Sequence, residues 1–563
     1  LKKYRPISLL PVFSKIFEII IFNTVYNYLL TNKLLSPHQS GFKPGDSCSN
    51  QLISITHEIL SSFDNYNSFE TRGVFLDMSK AFNKVWHEGL IYKLKTFGIS
   101  GNLLSLLGSF LSKRLQREVL NGQNSEWRNI KAGVPQGSIL EPLLFLIYVN
   151  DIPNHLVSNV KLFADDVSLF SVVKDPIRSS VELNNDLKVI EKWAYDWKMA
   201  FNPDPNKQAT EVLFSKKISK IFHPNLEFNG VAIPRLTSQK HLGMILDAKL
   251  SFNEHVSVKL SIAKKSVGIL RKLFYLIPRN SLITIYKSFI RPHLDYCDII
   301  YDRPSTNYFT NNIESIQYNA ACAITGAIKG SSKDRIYEEL GLEHLSARRW
   351  SRRLTTFYKI LRSKEPNYLF SLIPGINEFP RTRSQANIQQ IFTRTEAFKN
   401  SFFPYVIQEW NNLNITLRNS SSISVFKSSI LKLVRPKGNS VYSVHNPAGI
   451  KFLSRLRLGL SHLREHKFKH NFQDCLDPIC NCRVEIETTI HFFLHCTNFT
   501  QQRQVLLNNL MNIDQNLVNN HDHILVNILL FGDPLFDDKV NSLILLNTVD
   551  YILSTKRFDH DFM

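Results

Sequence analysis

Residues 160 to 170 read VKLFADDVSLF, two runs of strand formers (Val160, Leu162, Phe163 and Val167, Leu169, Phe170) on either side of a polar break. The pattern predicts a hairpin with Ala164, Asp165 and Asp166 at its tip. Upstream, RGVFLDMSKAFNKVWHEGLIYKLKTFG (72 to 98) starts as a short apolar strand ending in Asp77 and then changes period. Phe82, Val85, Trp86, Leu90, Leu94 and Phe97 fall at helical spacing, and Gly98 is placed to stop the helix. In REVLNGQNSEWRNI (117 to 130), Asn121-Gly122 signals a hairpin turn. AGVPQGSILEPLLFLIYVNDI (132 to 152) is a glycine-rich loop feeding an apolar helix that Ser138 would cap, and Ser138-x-x-Glu141 has the form of a capping box. Beyond residue 250 the spacing predicts helices with basic faces, as in IAKKSVGILRKLFYLIP (262 to 278) and ARRWSRRLTTFYKILRS (347 to 363). Residues 381–390 and 435–449 read as linkers.

Adjacent like charges at a strand tip have two readings. One is a solvated turn in which Asp bonds its own backbone; the other is a site for a hard divalent cation. A third carboxylate favours the second. Asp77 ends a strand 88 residues before Asp165, and a hairpin lying beside that strand brings the acids to one sheet edge. Clustered carboxylates repel unless cations sit between them. Two Mg2+ ions about 3.5–4 Å apart would neutralise them and support phosphoryl transfer. Asp166 is expected to be the less direct ligand, because neighbours on an extended chain point opposite ways.

Charge narrows the partners. Lys plus Arg exceed Asp plus Glu by 68 to 48, a net +20, which suggests a polyanionic partner, and 43% apolar residues mark a chain that folds. At 563 residues more than one domain is expected. The longest apolar run, LLFLIYV at 143 to 149, falls far short of the roughly 18 residues of a membrane span. Residues 7 to 30 carry Lys15, Glu18, Asn23 and Asn27 and do not read as a secretory signal. Seven cysteines, four of them between 475 and 496, suit a reducing compartment, so an intracellular protein is expected. A chain that begins at Leu1 is expected to be a piece of a longer one. Cys480, Cys482, His491 and Cys496 supply four ligands suited to one tetrahedral Zn2+, with Cys475 and His495 as competitors. The Arg-, Lys- and His-rich run before them would dock nucleic-acid phosphates.

LKKYRPISLL, HQSGFKPGDSCSNQL, GVFLDMSKAFNKVWH, KAGVPQGSILEPLLFLIYVND, KLFADDVSLF, WKMAFNPDPNKQATEVLFS and KHLGMILD resemble, in order, the motifs of reverse transcriptases from non-LTR (LINE-type) retrotransposons, most like the jockey group. The resemblance covers roughly residues 1 to 250, and the downstream chain is similar to the carboxy-terminal part of those elements. It implies an α+β right-hand polymerase, with fingers and palm over 1–250 and a helical thumb over 251–345. A helical basic connecting region over 346–440 and a carboxy-terminal region over 441–563, with a zinc-knuckle-like module at 475–496, would follow. The implied activity is RNA-directed DNA polymerisation in target-primed reverse transcription, with template RNA, a DNA primer and target, and dNTPs as partners. Two Mg2+ (or Mn2+) would be held by Asp77, Asp165 and Asp166, and one structural Zn2+ by the cysteine–histidine set.

The resemblance also implies roles residue by residue. Phe82 matches the aromatic under the incoming sugar, and Phe163 stands in a slot that is often aromatic. Lys43 matches a grip on the triphosphate, and Gln136 and Gly137 match the loop that meets template and nucleotide. Lys207, with Lys216 and Lys217 near, matches a proton donor to pyrophosphate; His241, Leu242 and Gly243 match the turn that supports the primer end. Two positions depart from the pattern: Asn83 where Asp is usual and Glu141 where Gly is usual. Glu141 adds a negative charge near an expected polyanion, so weak activity is anticipated, raised by Glu141→Gly more than by Asn83→Asp. A catalytically dead copy that only binds nucleic acid is the alternative. A maturase- or telomerase-like polymerase is disfavoured by the zinc module.

Overall fold

Strand β1 (Glu70–Asp77) is buried along its length except at Asp77, as a strand with neighbours on both sides must be. In the computed structural model, which describes residues 7–120, 122–218, 221–302, 307–375, 387–434 and 446–559, β1 lies at the centre of a five-stranded sheet. The ribbon strands β2 (Leu115–Gln116), β3 (Val119–Leu120), β4 (Gln123–Asn124) and β5 (Arg128–Asn129) come next in the chain and form two small exposed pairs. Strands β6 (Asn159–Phe163), β7 (Asp166–Val173) and β8 (Ala209–Phe214) follow, then β9 (Glu227–Phe228), β10 (Val231–Ala232) and β11 (Arg235–Leu236). The sheet order is β11-β8-β1-β7-β6, antiparallel except where β11 joins β8. A separate hairpin, β12 (Ser238–His241) with β13 (Met244–Asp247), turns through Leu242 and Gly243. The class is α+β, as expected.

Helices cover the sheet. α1 (Val12–Thr31) precedes α2 (Cys48–Asp64), which Ser47 caps by accepting the Asn50 amide. α3 (His87–Thr96), α4 (Gly101–Leu111), α5 (Leu140–Val149) and α6 (Pro176–Asp196) follow. α5 is apolar on every side because it lies inside: Leu143 to Val149 are all buried. α6 turns Leu183, Leu187, Ile190 and Ala194 inward at helical spacing, into the cluster that holds Val74, Leu76, Leu162, Val167 and Leu169. Arg72 is wholly enclosed. It donates to Glu211 at 2.6 Å, Ser180 at 2.5 Å and the Pro224 carbonyl at 3.0 Å, so a buried charge keeps a full set of partners.

The helix expected from Phe82 to Phe97 is broken. Ala81–Lys84 form a 3-10 turn, Val85 and Trp86 are non-helical, and α3 begins at His87. The cause is a distant loop: Val134 donates to the Phe82 carbonyl at 2.9 Å and Gly133 to that of Val85 at 2.8 Å, taking acceptors that a continuous helix needs. Gly98 does end α3, with positive φ.

Leu1–His255 and Thr356–Leu413 make one compact unit; Val256–Thr355 and Asn414–Met563 make the other. Residues 346–440, expected as one region, are shared between them. Of the expected linkers, residues 381–386 and 435–445 lie outside the described residues. α7 (Pro205–Gln208) belongs to the first unit, and α8 (Asn253–Lys272) starts there and continues into the second with Lys264, Lys265, Arg271 and Lys272 exposed, matching the basic face expected there. Three arginines of 347–363 do not match, whereas Arg362 is exposed. Arg348 makes a two-pronged bond to Asp295 at 2.8–3.2 Å, Arg349 donates to Asp302 at 2.8 Å, and Arg353 is buried against the Ile299 and Asp302 carbonyls. Arg349 and Arg353 are interior residues, closed to a nucleic-acid backbone. A second core gathers Phe452, Leu456, Phe492, Phe493, Leu510, Leu529, Ile544 and Val549. No helix among the described residues is long and apolar enough to cross a membrane.

Two imidazoles in the first unit give it a pH dependence. Burial pushes His57 and His241 down to about 4, and His57 Nδ1 and His241 Nε2 have no hydrogen-bond partner among the described residues. Between pH 6.5 and 4 the unfolded chain binds protons that the folded unit refuses, so stability is complete above pH 6.5 and falls as the pH drops through that window. A shift of that size is worth about 3 kcal/mol per residue. Urea melts at pH 7 and 4.5 should show the loss, and His57→Phe with His241→Phe should reduce the gap; an unchanged gap would assign acid sensitivity to other groups.

Candidate active site and metal group

β1 ends at Asp77 and β7 begins at Asp166, and the register sets these two residues directly opposite each other. Opposed residues in an antiparallel pair share a face. Phe163 pairs with Asp166, so the link between β6 and β7 is the two-residue turn Ala164-Asp165, with Asp166 already in the strand and not at the tip. Asp165 is half-buried; Asp77 and Asp166 are exposed. Asn202 fixes Asp77 from below, donating its side-chain amide to Oδ2 at 2.7 Å and its backbone amide to the carbonyl at 2.9 Å. Ala164 carries φ of +56°, a left-handed conformation costing an alanine roughly 1–2 kcal/mol. The neighbouring Gly41 is needed for contact: a Cβ there would lie 2.4 Å from the Ala164 nitrogen.

Phe82 stacks on Phe145 with ring centres 4.2 Å apart and meets Phe42 edge-on at 6.0 Å, so it packs on the core while only partly buried. The loop that breaks its helix is the one bearing Gln136. Gly133 sits against the backbone of Asn83, where a Cβ would approach to 2.8 Å. Gln136 is half-buried and its carbonyl accepts from Ser8 at 2.6 Å. The helix start is built differently from a capping box. Ser138 accepts from Leu140 at 3.1 Å and donates to the buried Glu18 at 2.6 Å, and Glu18 also takes the Ile139 amide at 2.7 Å. Glu141 accepts the Gly137 amide at 2.7 Å. Its carboxylate therefore holds the loop, and Glu141→Gly would release that loop as well as remove a charge. The lost loop contact therefore opposes the gain expected from removing the charge.

Lys43 is half-buried, donates to the Ser36 carbonyl at 2.5 Å, and is lowered from the usual lysine range by burial, which Asp46 opposes. Lys207 is exposed and pairs with Asp204 at 2.8 Å, a bond that raises its affinity for its proton. His241 is buried with its ring 5.0 Å from that of Phe75, and Leu242 and Gly243 both take positive φ in the hairpin turn.

In the second unit Cys480, Cys482, His491 and Cys496 place one ligand atom each within 4.8 Å of one another. Among the described residues this is the one group of three or more such side chains that converges so closely; the three carboxylates share a sheet edge without meeting at that distance. Cys480 and Cys482 flank a tight turn in which Arg483 donates to the Cys480 carbonyl, and Arg483 has positive φ. His491 Nδ1 lies 2.7 Å from Glu485, which leaves Nε2 facing Cys482 at 3.3 Å: a carboxylate that orients a ligating imidazole. The competitors are engaged elsewhere. Cys475 donates to the Arg464 and Asp477 carbonyls, and His495 pairs with Asp522 at 2.8 Å. Phe492 and Phe493 anchor the group to the second core.

Two residues escaped the sequence reading. Asn202 lies in the FNPD stretch and bore no titratable group to draw notice. Gln39 accepts the Ala164 amide at 2.9 Å and the Gly41 amide at 2.8 Å; nothing in periodicity points to it, though it stands beside Gly41 in HQSGF.

Comparison with protein families matches residues 1–259 to the reverse transcriptase (RNA-dependent DNA polymerase) family. The RNA-directed DNA polymerase from mobile element jockey of Drosophila melanogaster is 30% identical over 58% of this chain and 36% of its own length. The probable RNA-directed DNA polymerase from transposon BS of the same fly is 30% identical over 64% of this chain and 41% of its own. The chain thus spans well under half the length of these curated relatives. Among solved structures, apo telomerase from Candida tropicalis aligns over 63% of this chain and 61% of its own at 10% identity, with a TM-score of 0.34, too low to carry an argument.

Proposed function

We propose, from the match of residues 1–259 to the reverse transcriptase family, that this chain is the polymerase part of a mobile element and copies RNA into DNA by adding dNTPs to a primer 3'-hydroxyl. The observation that carries the reading is the register opposing Asp77 to Asp166, with Asp165 in the turn beside them. Hard carboxylate oxygens at one sheet edge suit Mg2+, or Mn2+. When bound there, two such ions supply charge stabilisation to the attacking and leaving oxygens of an in-line displacement. The chain's own part is to position. Asn202 orients the Asp77 carboxylate, Phe82, five residues after Asp77, is fixed by stacking on Phe145, and the Gln136 loop is clamped through Gly133 and Glu141. Template RNA and a DNA primer would meet basic surface at Lys113, Arg117, Arg128 and Lys131 on and beside the exposed β2–β5 ribbon, where Arg117 lies over the half-exposed Trp127 at 4.7 Å. Primer extension by the purified chain on RNA and DNA templates tests the reading. Incorporation on RNA is expected; duplex binding with no incorporation on either template would leave a nucleic-acid-binding protein without catalysis.

We assign zinc to the cysteine–histidine group, because three thiolates and an imidazole match its preferred tetrahedral donors. Cys482→Ser is expected to lower bound zinc from about one per chain to near zero, since structural sites are held by the full ligand set. Hydrogen exchange should rise over residues 475–496 while the core around Phe452 and Ile544 stays protected, because that core packs through its own apolar contacts. Wild-type protein purified free of zinc would end the assignment.

A further inference from the structure

The turn that presents Asp165 is held from behind by a chain of bonds ending outside the residues matched to the family. Gln39, 3% exposed, uses one oxygen to accept both the Ala164 and Gly41 amides. Residues 38–40 run beside β6 as a short extra strand: Leu162 donates to the His38 carbonyl and Ser40 to that of Leu162, both at 2.9 Å. Gln51 adds a third bond, its side-chain amide donating to the same Leu162 carbonyl, also at 2.9 Å. Ser40 then reaches Tyr368, its hydroxyl donating to the tyrosine oxygen at 3.3 Å, and Tyr368 donates to Asp46 at 2.8 and 3.0 Å. Ser40 and Asp46 thus bracket Gly41, Phe42 and Lys43, and one phenol ties both ends of the bracket.

We infer that Gln39 and Tyr368 are positioning residues for Asp165, so that the downstream segment 356–413 is a working part of the polymerase unit and not an appendage to it. A left-handed alanine between two strands relaxes unless its amide is held, and the Gln39 oxygen holds it. The Gly41 contact leaves no room for the turn to move toward the bracket. Burial and the neighbouring Asp46 keep the Tyr368 phenol protonated, so it remains a donor across the physiological range. Lys161 Nζ lies 5.6 Å from the Tyr368 ring centre, a contact a phenylalanine would retain.

The activity arm of this inference rests on the polymerase reading; a second arm does not. Gln39→Leu and Tyr368→Phe are made in the full chain, with melting temperatures as a folding control. For an active wild type, we expect kcat to fall about tenfold for Gln39→Leu and a few-fold for Tyr368→Phe, with a raised Mg2+ requirement and primer–template affinity within twofold, since groups that position a reacting residue act on the chemical step. The double variant should lose less than the product of the single losses, because both act through one brace. Unchanged kcat and Mg2+ requirement in both variants would overturn the inference, as would equal loss of affinity and turnover. Hydrogen exchange of a peptide covering 160–170 provides the independent arm: the Ala164 amide should exchange faster in Gln39→Leu whether or not the protein polymerises. If it does not, the brace is absent; if it does while wild type fails to extend any primer, the brace stands and the polymerase reading falls.

Discussion

Asp165→Asn is expected to lower primer extension by about three orders of magnitude while leaving the affinity for a primer–template duplex nearly unchanged. The substitution keeps the size of the side chain and removes the charge that, on the proposed function, would face a divalent ion, and such ions contribute several kcal/mol to the transition state. At about 1.4 kcal/mol per factor of ten, that loss accounts for the expected size. Affinity is expected from another source, many Lys and Arg contacts available to a chain of net charge +20, each weakened by salt. Steady-state extension and a filter-binding titration on the same preparation separate the two. Parallel loss of both would argue that Asp165 serves the fold and not the chemistry.

Arg72→Ala is expected to destabilise the first unit by about 3–5 kcal/mol, the usual cost of removing one partner of a buried ion pair. Glu211 is 1% exposed, and without Arg72 the one remaining basic partner among the described residues is Arg235, at 3.1 Å from its other oxygen. Ser180 and the Pro224 carbonyl lose a donor in the same step. Because β1 carries Asp77 five residues further on, polymerase activity should disappear with the fold at temperatures where the parent survives. A urea midpoint unchanged by the substitution would show that solvent reaches this pair.

What could be read in the residues was what local pattern controls. Strand alternation located β6 and β7, the apolar run predicted α5, and ligand chemistry found all four members of the cysteine–histidine group. The misreadings share a cause. Phe82 to Phe97 has helical spacing throughout, yet Gly133 and Val134, about fifty residues away, claim the carbonyls that would continue the helix. The arginines from 348 to 353 have the composition of a nucleic-acid surface, and only the fold reveals that Asp295 and Asp302 neutralise them. Gln39 was invisible for the same reason: its role depends on a hairpin more than a hundred residues later. The hairpin tip was placed one residue too long because Asp166 favours turns as strongly as Asp165, and the pairing with Phe163 decides between them.

The first unit leaves the chain at His255 and returns at Thr356, which has a consequence for its birth on the ribosome. All five strands of the main sheet have been synthesised by Leu236, but the Asp64 carboxylate at the end of α2 waits for Arg394 and Thr395, whose amides it accepts at 2.6–3.0 Å. At translation rates of roughly 5–20 residues per second, the nascent sheet stands for on the order of ten to thirty seconds before that partner emerges. Slow codons or a stalled ribosome between 255 and 395 would prolong the exposure of apolar surface that residues such as Phe398 and Phe403 later cover. Yield of folded protein should therefore respond to translation speed across a segment that contributes nothing to the sheet itself.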